Sequence, residues 1–173
     1  FDENTSIDER IGEITISAAG VPDVVVTVTQ AGTAPILSVT PANQDVSAAS
    51  GTTTFDVTSN TSWSVSESIG WLSVSPMNGN NNNTLTVTFD ENTSIDERIG
   101  EITISATGVP DVVVTVTQAG TAPVLSVAPA NQDVSAASGT TTFNLSSNTS
   151  WSVSESVGWL SVSPMNGNNN NTL

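Results

Sequence analysis

The sequence predicts an all-β chain of tandem β-sandwich repeats, on three observations. Short runs alternate apolar and polar residues with period two, and no segment keeps a 3.6-residue period over ten or more positions. Turn residues break these runs roughly every 8–12 positions, the spacing of sandwich strands. An internal repeat then dominates the chain: Phe1-Asp2-Glu3-Asn4-Thr5-Ser6 returns as Phe89-Asp90-Glu91-Asn92-Thr93-Ser94, a period of 88 residues. Residues 1–85 align without gaps on 89–173 and differ at seven positions: Ala19/Thr107, Ile36/Val124, Thr40/Ala128, Asp56/Asn144, Val57/Leu145, Thr58/Ser146 and Ile69/Val157. Every exchange is small or shape-conserving, which indicates recent duplication within a longer array.

In chain order, residues 13–17 (EITIS) alternate as a strand, and residues 24–30 do so through Val24, Val26 and Val28. Gly20 and the Pro22-Asp23 pair make the turn between them. Residues 31–35 read as a linker, and residues 36–39 as a short strand stopped by Pro41. Residues 45–47 are a further short strand before the Ser50-Gly51 turn, and residues 52–58 carry Phe55 and Val57 on one face. Residues 59–76 hold Trp63 and Trp71, and their copy, residues 147–164, holds Trp151 and Trp159; these are all the tryptophans in the chain, and tyrosine is absent. Trp63-Ser64-Val65-Ser66 and Leu72-Ser73-Val74-Ser75 form two half-buried strands around a turn at Ser68-Ile69-Gly70. Residues 77–83 form a polar loop, and its Asn-rich part, 78–83, reads as a flexible hairpin tip. Residues 84–89 alternate cleanly, residues 90–97 form an acidic loop, and residues 98–105 repeat the isoleucine strand with Ile102 and Ile104 inward.

The linkers at 31–35 and 119–123 set the expected domain boundaries. One complete β-sandwich spans 35–121. Residues 1–34 are the C-terminal strands of an incomplete repeat. Residues 122–173 are the N-terminal strands of another, lacking that same last pair. A lone two-stranded hairpin is marginal at best, because nothing covers its apolar face. The two pieces are complementary, so the chain is either an arbitrary cut through an array or a unit completed by residues equivalent to 1–34 from a neighbouring repeat or chain. Copied head to tail, the second arrangement builds an open filament.

Composition narrows the function. Seventeen Asp and Glu stand against Arg10 and Arg98, with no lysine, for a net charge of −15. Too few cations are present to neutralise phosphates, so nucleic acid is excluded as a partner, and anionic membrane surfaces would repel the chain. The remaining electrostatic partners are cations, calcium above all, or solvent, the charge then keeping a crowded surface protein soluble and self-repelling. The absence of His and Cys removes thiol and imidazole catalysis, disulfides, zinc sites and haem ligation. No run of eighteen apolar residues exists to cross a membrane as a helix. The first residues have neither the basic nor the apolar region of a signal peptide, so a signal for export would lie outside them.

The pattern Leu37-Ser38-Val39, then Thr58-Ser59-Asn60-Thr61-Ser62-Trp63, then Trp71-Leu72-Ser73-Val74-Ser75-Pro76 resembles the BACON domain. So do Arg98 ahead of Ile102 and Ile104, and the terminal Val114-Thr115-Val116-Thr117-Gln118-Ala119-Gly120. The resemblance covers 35–121 and, in split form, both flanking pieces. It implies tandem immunoglobulin-like β-sandwiches of the kind found in surface and secreted proteins of Bacteroidota and in related phages. Such domains often sit beside glycoside hydrolases, and a carbohydrate-binding role has been proposed for them. The resemblance brings no catalytic residues with it.

Two candidate sites follow. A sugar platform needs an exposed aromatic face with polar neighbours. Trp63 shares strand parity with Val65 and points inward, whereas Trp71 precedes the inward Leu72 and belongs at an edge; Trp71 and Trp159 are therefore the carbohydrate-binding candidates, with Asn60 and Glu67 as polar neighbours of the first. In the acidic loop, Asp90, Asn92 and Asp96 are candidate calcium ligands. The loop is no EF-hand, since Ile95 stands where the sharp turn needs glycine and the flanks read as strands. No other cofactor is expected. Paired carboxylates lie in loops with no predicted cleft, so glycosidase chemistry and enzymatic activity in general are not expected. The Asn-Xaa-Ser triplets at Asn4, Asn60, Asn92 and Asn148 are frequent by composition alone. The expected function is a non-catalytic repeat segment of an extracellular or cell-surface stalk, adhesin or filament, with neighbouring repeats or copies of the chain as partners. The alternatives are a carbohydrate-binding module, with glycans as partners, and a phage tail or fibre component.

Overall fold

Alternation of β-branched residues with Ser and Thr gives strands throughout, and the computed structural model, which describes residues 1–173, contains strands and no helix. Nine strands between residues 37 and 118 form two sheets. The first, β3 (Leu37–Thr40), β5 (Gly51–Ser59), β9 (Asn83–Phe89) and β7 (Leu72–Ser75), has the order β3-β5-β9-β7 with antiparallel neighbours. The second has the order β4 (Asn43–Val46), β11 (Val112–Gln118), β10 (Arg98–Ala106), β6 (Ser62–Ser66) and β8 (Asn78–Asn80). Inward residues of both sheets, among them Phe55, Val57, Leu85, Val87, Ile102, Ile104, Val114 and Val116, are fully buried, as period-two alternation requires of a sandwich. The sheets approach closely at Gly100 on β10: a Cβ there would collide with the Leu72 side chain of β7 and lie 3.1 Å from Trp71 Cζ2.

The remaining strands are β1 (Arg10–Ile16) and β2 (Val24–Gln30), paired as an antiparallel hairpin that is a sheet by itself, and five strands of the C-terminal repeat. Those are β12 (Leu125–Ala128), β13 (Asn144–Ser147) and β16 (Asn171–Thr172) in one sheet, with β14 (Ser150–Ser152) and β15 (Asn166–Asn168) in another. By contacts the chain falls into two units, Phe1–Gln44, Gly51–Asp90 and Ile99–Val116 in one, Asp45–Ser50, Glu91–Arg98 and Thr117–Leu173 in the other. Four X-Pro bonds are cis, at Pro41, Pro76 and their counterparts Pro129 and Pro164.

One segment departs from its expected form. The Asn-rich stretch is not a flexible tip: residues 78–80 pair with β6 in the register Trp63↔Gly79. Its composition hides the reason, which lies in the tryptophan. A Cβ at Gly79 would overlap the Trp63 ring, so the glycine makes room for the indole, and Trp63 Nε1 donates to the Asn81 carbonyl at 2.8 Å. Asn81 takes a positive φ of 59° to present that carbonyl, a conformation asparagine tolerates better than most residues. Trp63 itself is buried, as its parity predicts.

Candidate functional site

The tryptophan strands come first. Trp71 precedes Leu72, the first residue of β7, is half-buried, and lies against Gly100; its carbonyl accepts from Asp90 N at 3.0 Å. Its two expected polar neighbours serve the backbone. Asn60 accepts from Ile36 N and donates to the Ala34 carbonyl, clamping the start of β3, and Glu67 accepts from Ile69 N in the turn. Trp159 is 76% exposed, whereas Trp151 is buried and keeps the same indole bond as Trp63, to the Asn169 carbonyl at 2.8 Å.

The acidic loop owes its shape to Asn92. This side chain is buried, donates to the carbonyls of Asp96 (2.8 Å) and Ala119 (3.1 Å), and accepts from Ser94 N (3.2 Å). Ser94 Oγ then accepts from Asp96 N, and Thr121 N donates to the Ser94 carbonyl at 2.7 Å. The asparagine therefore fastens the loop to the chain just past β11. Of the three candidate calcium ligands, Asn92 has its carboxamide bound to backbone groups, while Asp90 and Asp96 are exposed. Asn4, Asn60, Asn92 and Asn148 all bond backbone groups in this way, Asn4 repeating Asn92 and Asn148 repeating Asn60.

Sequence reasoning missed a polar pair under the sandwich. Arg98 Nε donates to Gln118 Oε1 at 2.8 Å, and the fully buried Gln118 passes Nε2 to the carbonyls of Ala48 (3.1 Å) and Ala49 (3.3 Å). The signal was present: one of only two cations in the chain stands twenty residues before a glutamine at an inward strand position. The surface hollows are shallow. One, of about 420 Å³, is lined by Ser62, Ser64, Ser105 and Thr107 beside Trp63. Another, of about 460 Å³, lies on the β1–β2 hairpin and is lined by Phe1, Gly12, Ile14 and Val28 among others.

Two facing sheets, antiparallel except where β4 runs parallel to β11, with polar side chains bonded to backbone, define a β-sandwich repeat. The family model of the viral BACON domain matches residues 36–121 and again 124–173, and the chain belongs to that family, one of non-catalytic domains. No curated protein matches the chain. Among solved structures it is similar to a Bacteroides ovatus GH5 xyloglucanase in complex with a XXXG heptasaccharide, at 26% identity and a TM-score of 0.47. That match covers 50% of this chain and 19% of the xyloglucanase, so the chain spans about a fifth of that enzyme's length. WR4, a C. elegans MSP family member, matches at 16% identity and a TM-score of 0.39, over 48% of this chain and 97% of that one. The CsuC–CsuE chaperone–tip adhesion subunit pre-assembly complex of Acinetobacter baumannii Csu pili matches at 12% identity and a TM-score of 0.41, over 66% of this chain and 79% of that one.

Proposed function

We propose that the chain is a non-catalytic spacer segment of an extended structure on the outside of a virion or cell, and that its repeats set the length of that structure. The observation that carries this reading is the near-identity of the 88-residue copies, with every exchange small or shape-conserving. A spacer gains length with each copy and needs no new site. The polar groups fit it: the Asn, Gln and Arg side chains best placed to grip a ligand are bonded to backbone or to each other. The net charge of −15 favours separation of neighbouring projections. The viral description of the matching family model favours a tail or fibre component over a bacterial stalk or adhesin.

The test has two parts. Particles from the source virus, labelled with antibody against the repeat and viewed by electron microscopy, should carry label along projections. Calorimetric titration against a glycan panel should give no saturable heat. Saturable binding that disappears in Trp71→Ala would overturn the spacer reading in favour of a carbohydrate-binding module.

A further inference from the structure

In the complete repeat, the first and last strands meet along one seam. Ile36 leads into β3, the chain crosses to β4 in the other sheet, and it leaves at the end of β11. β4 and β11 run parallel: Thr115 N donates to the Ala42 carbonyl and Ala119 N to that of Val46, both at 3.0 Å. Side chains add to the seam. Thr115 Oγ1 donates to Asn43 Oδ1 at 2.7 Å, and Gln118 Nε2 reaches the carbonyls of Ala48 (3.1 Å) and Ala49 (3.3 Å).

The points of entry and exit are fastened as well. At the entry, Asn60 holds Ile36 N and the Ala34 carbonyl, and Ser59 Oγ donates to the Ile36 carbonyl at 2.9 Å. At the exit, Asn92 Nδ2 donates to the Ala119 carbonyl, and Thr121 donates to the Ser94 carbonyl through N (2.7 Å) and Oγ1 (2.9 Å). The next residue, Ala122, is already held by Asn148. Consecutive residues are therefore bonded to successive repeats, and Thr33 and Ala34 repeat the arrangement through Ser6 and Asn60. The prolines that follow, Pro35 and Pro123, fix their own φ and restrict the residue before them. No slack residue lies between one repeat and the next.

We infer that the repeat is a tension-bearing element, in which the parallel β4–β11 seam resists a pull along the chain. Such a pull draws β4 towards its N-terminal end and β11 towards its C-terminal end. Because the strands are parallel, these directions are opposite, and the strands must slide past each other before either can leave. Ladder bonds lie across the strands, so sliding strains all of them together. An antiparallel hairpin pulled from its open end gives way one bond at a time instead. β3 reinforces the entry, since it pairs with Asp56–Ser59 of β5 and is pulled along its own axis. The asparagines at either end pass the load straight to these strands.

This inference rests on the spacer reading and extends it from length to load; its failure leaves that reading standing, because a repeat that yields easily can still set length. The test is single-molecule stretching of the 173-residue chain. Tethered by its two ends, the chain should show a high-force event that releases about 250 Å, the extended length of residues 36–121 less the span of the folded repeat. The chain has no cysteine, so Glu97→Cys, at an exposed position just before β10, gives a unique second handle. Pulled between that residue and the C-terminal end, β10 and β11 peel apart from Arg98 and Gln118 onward, and the force should fall about twofold or more, since bonds then carry the load singly.

Variants separate this from ordinary stability. Thr115→Val removes the hydroxyl bond to Asn43 and keeps the branched shape, and should lower the end-to-end force more than Val87→Ala does. Val87 is fully buried in the other sheet, so its truncation should lower the urea midpoint further than Thr115→Val. Ala119→Pro, which deletes the donor to Val46, should lower the force more again; if it does not fold, Thr115→Val decides. Equal forces in the two pulling directions, a Thr115→Val chain that yields at the wild-type force, or forces that simply follow the urea midpoints would each overturn the inference.

Discussion

Residues 10–30 and 98–118 differ at one position, yet one hairpin presents its isoleucines to solvent while the other contributes the best-buried residues of the sandwich. Both hold their two strands side by side in a sheet and make the same Arg–Gln pair. Local structure in this chain therefore follows from local sequence, whereas burial depends on what is packed opposite. Two copies of one sequence in a single chain let the packing contribution be measured against its own internal control.

The largest separation should come from the isoleucines. Ile104→Ala removes buried methyl groups from the sandwich and should cost about 2–5 kcal/mol in the main unfolding transition, read as a fall in urea midpoint at unchanged slope. Ile16→Ala, measured in dilute solution, should stay within about 0.5 kcal/mol of wild type. Equal costs would mean that the hairpin is covered even in the isolated chain.

Glycine gives the next contrast. Gly100→Val must push Leu72 and Trp71 aside and should cost about 1–3 kcal/mol by overpacking. Gly12→Val meets nothing and should leave the urea midpoint unchanged. Near-ultraviolet circular dichroism should change for Gly100→Val, because the indole of Trp71 is displaced. A Gly12→Val change of similar size would break the comparison.

Gln118→Ala should follow, at about 1–3 kcal/mol, since it removes a fully buried side chain and deprives Arg98 of an acceptor and the Ala48 and Ala49 carbonyls of a donor. Gln30→Ala should cost clearly less, because the Asp2 carbonyl it releases lies in an exposed residue that water reaches.

These contrasts also mark what the sequence discloses. Alternation placed Ile102, Ile104 and Trp63 inward, because parity along a strand is a local property. The same rule gives Ile14 and Ile16 an inward face that nothing occupies, since no local signal says whether a partner is present. Residues 78–80 were opaque for a related reason: Asn-Gly-Asn has no apolar alternation, and its strand exists because Trp63, sixteen residues earlier, needs a glycine beneath its ring. Of the candidate site residues, Trp71 is half-buried against Gly100, a contact with another strand that its offset from Leu72 does not disclose. The bonds of Asn60 to Ile36 and Ala34 and of Asn92 to Ala119 could not be foreseen, because they join segments far apart in the chain.

The smallest contrast should be none at all. Asn4 and Asn92 are both buried and make matching bonds, so Asn4→Ala and Asn92→Ala should loosen their loops equally. Hydrogen exchange at Thr33 and Thr121, whose amides close the two loops on Ser6 and Ser94, should quicken by a similar factor in the two variants, about fivefold for a bond worth about 1 kcal/mol. Unequal acceleration would show that the loop is held by the sandwich around it as well as by its own asparagine.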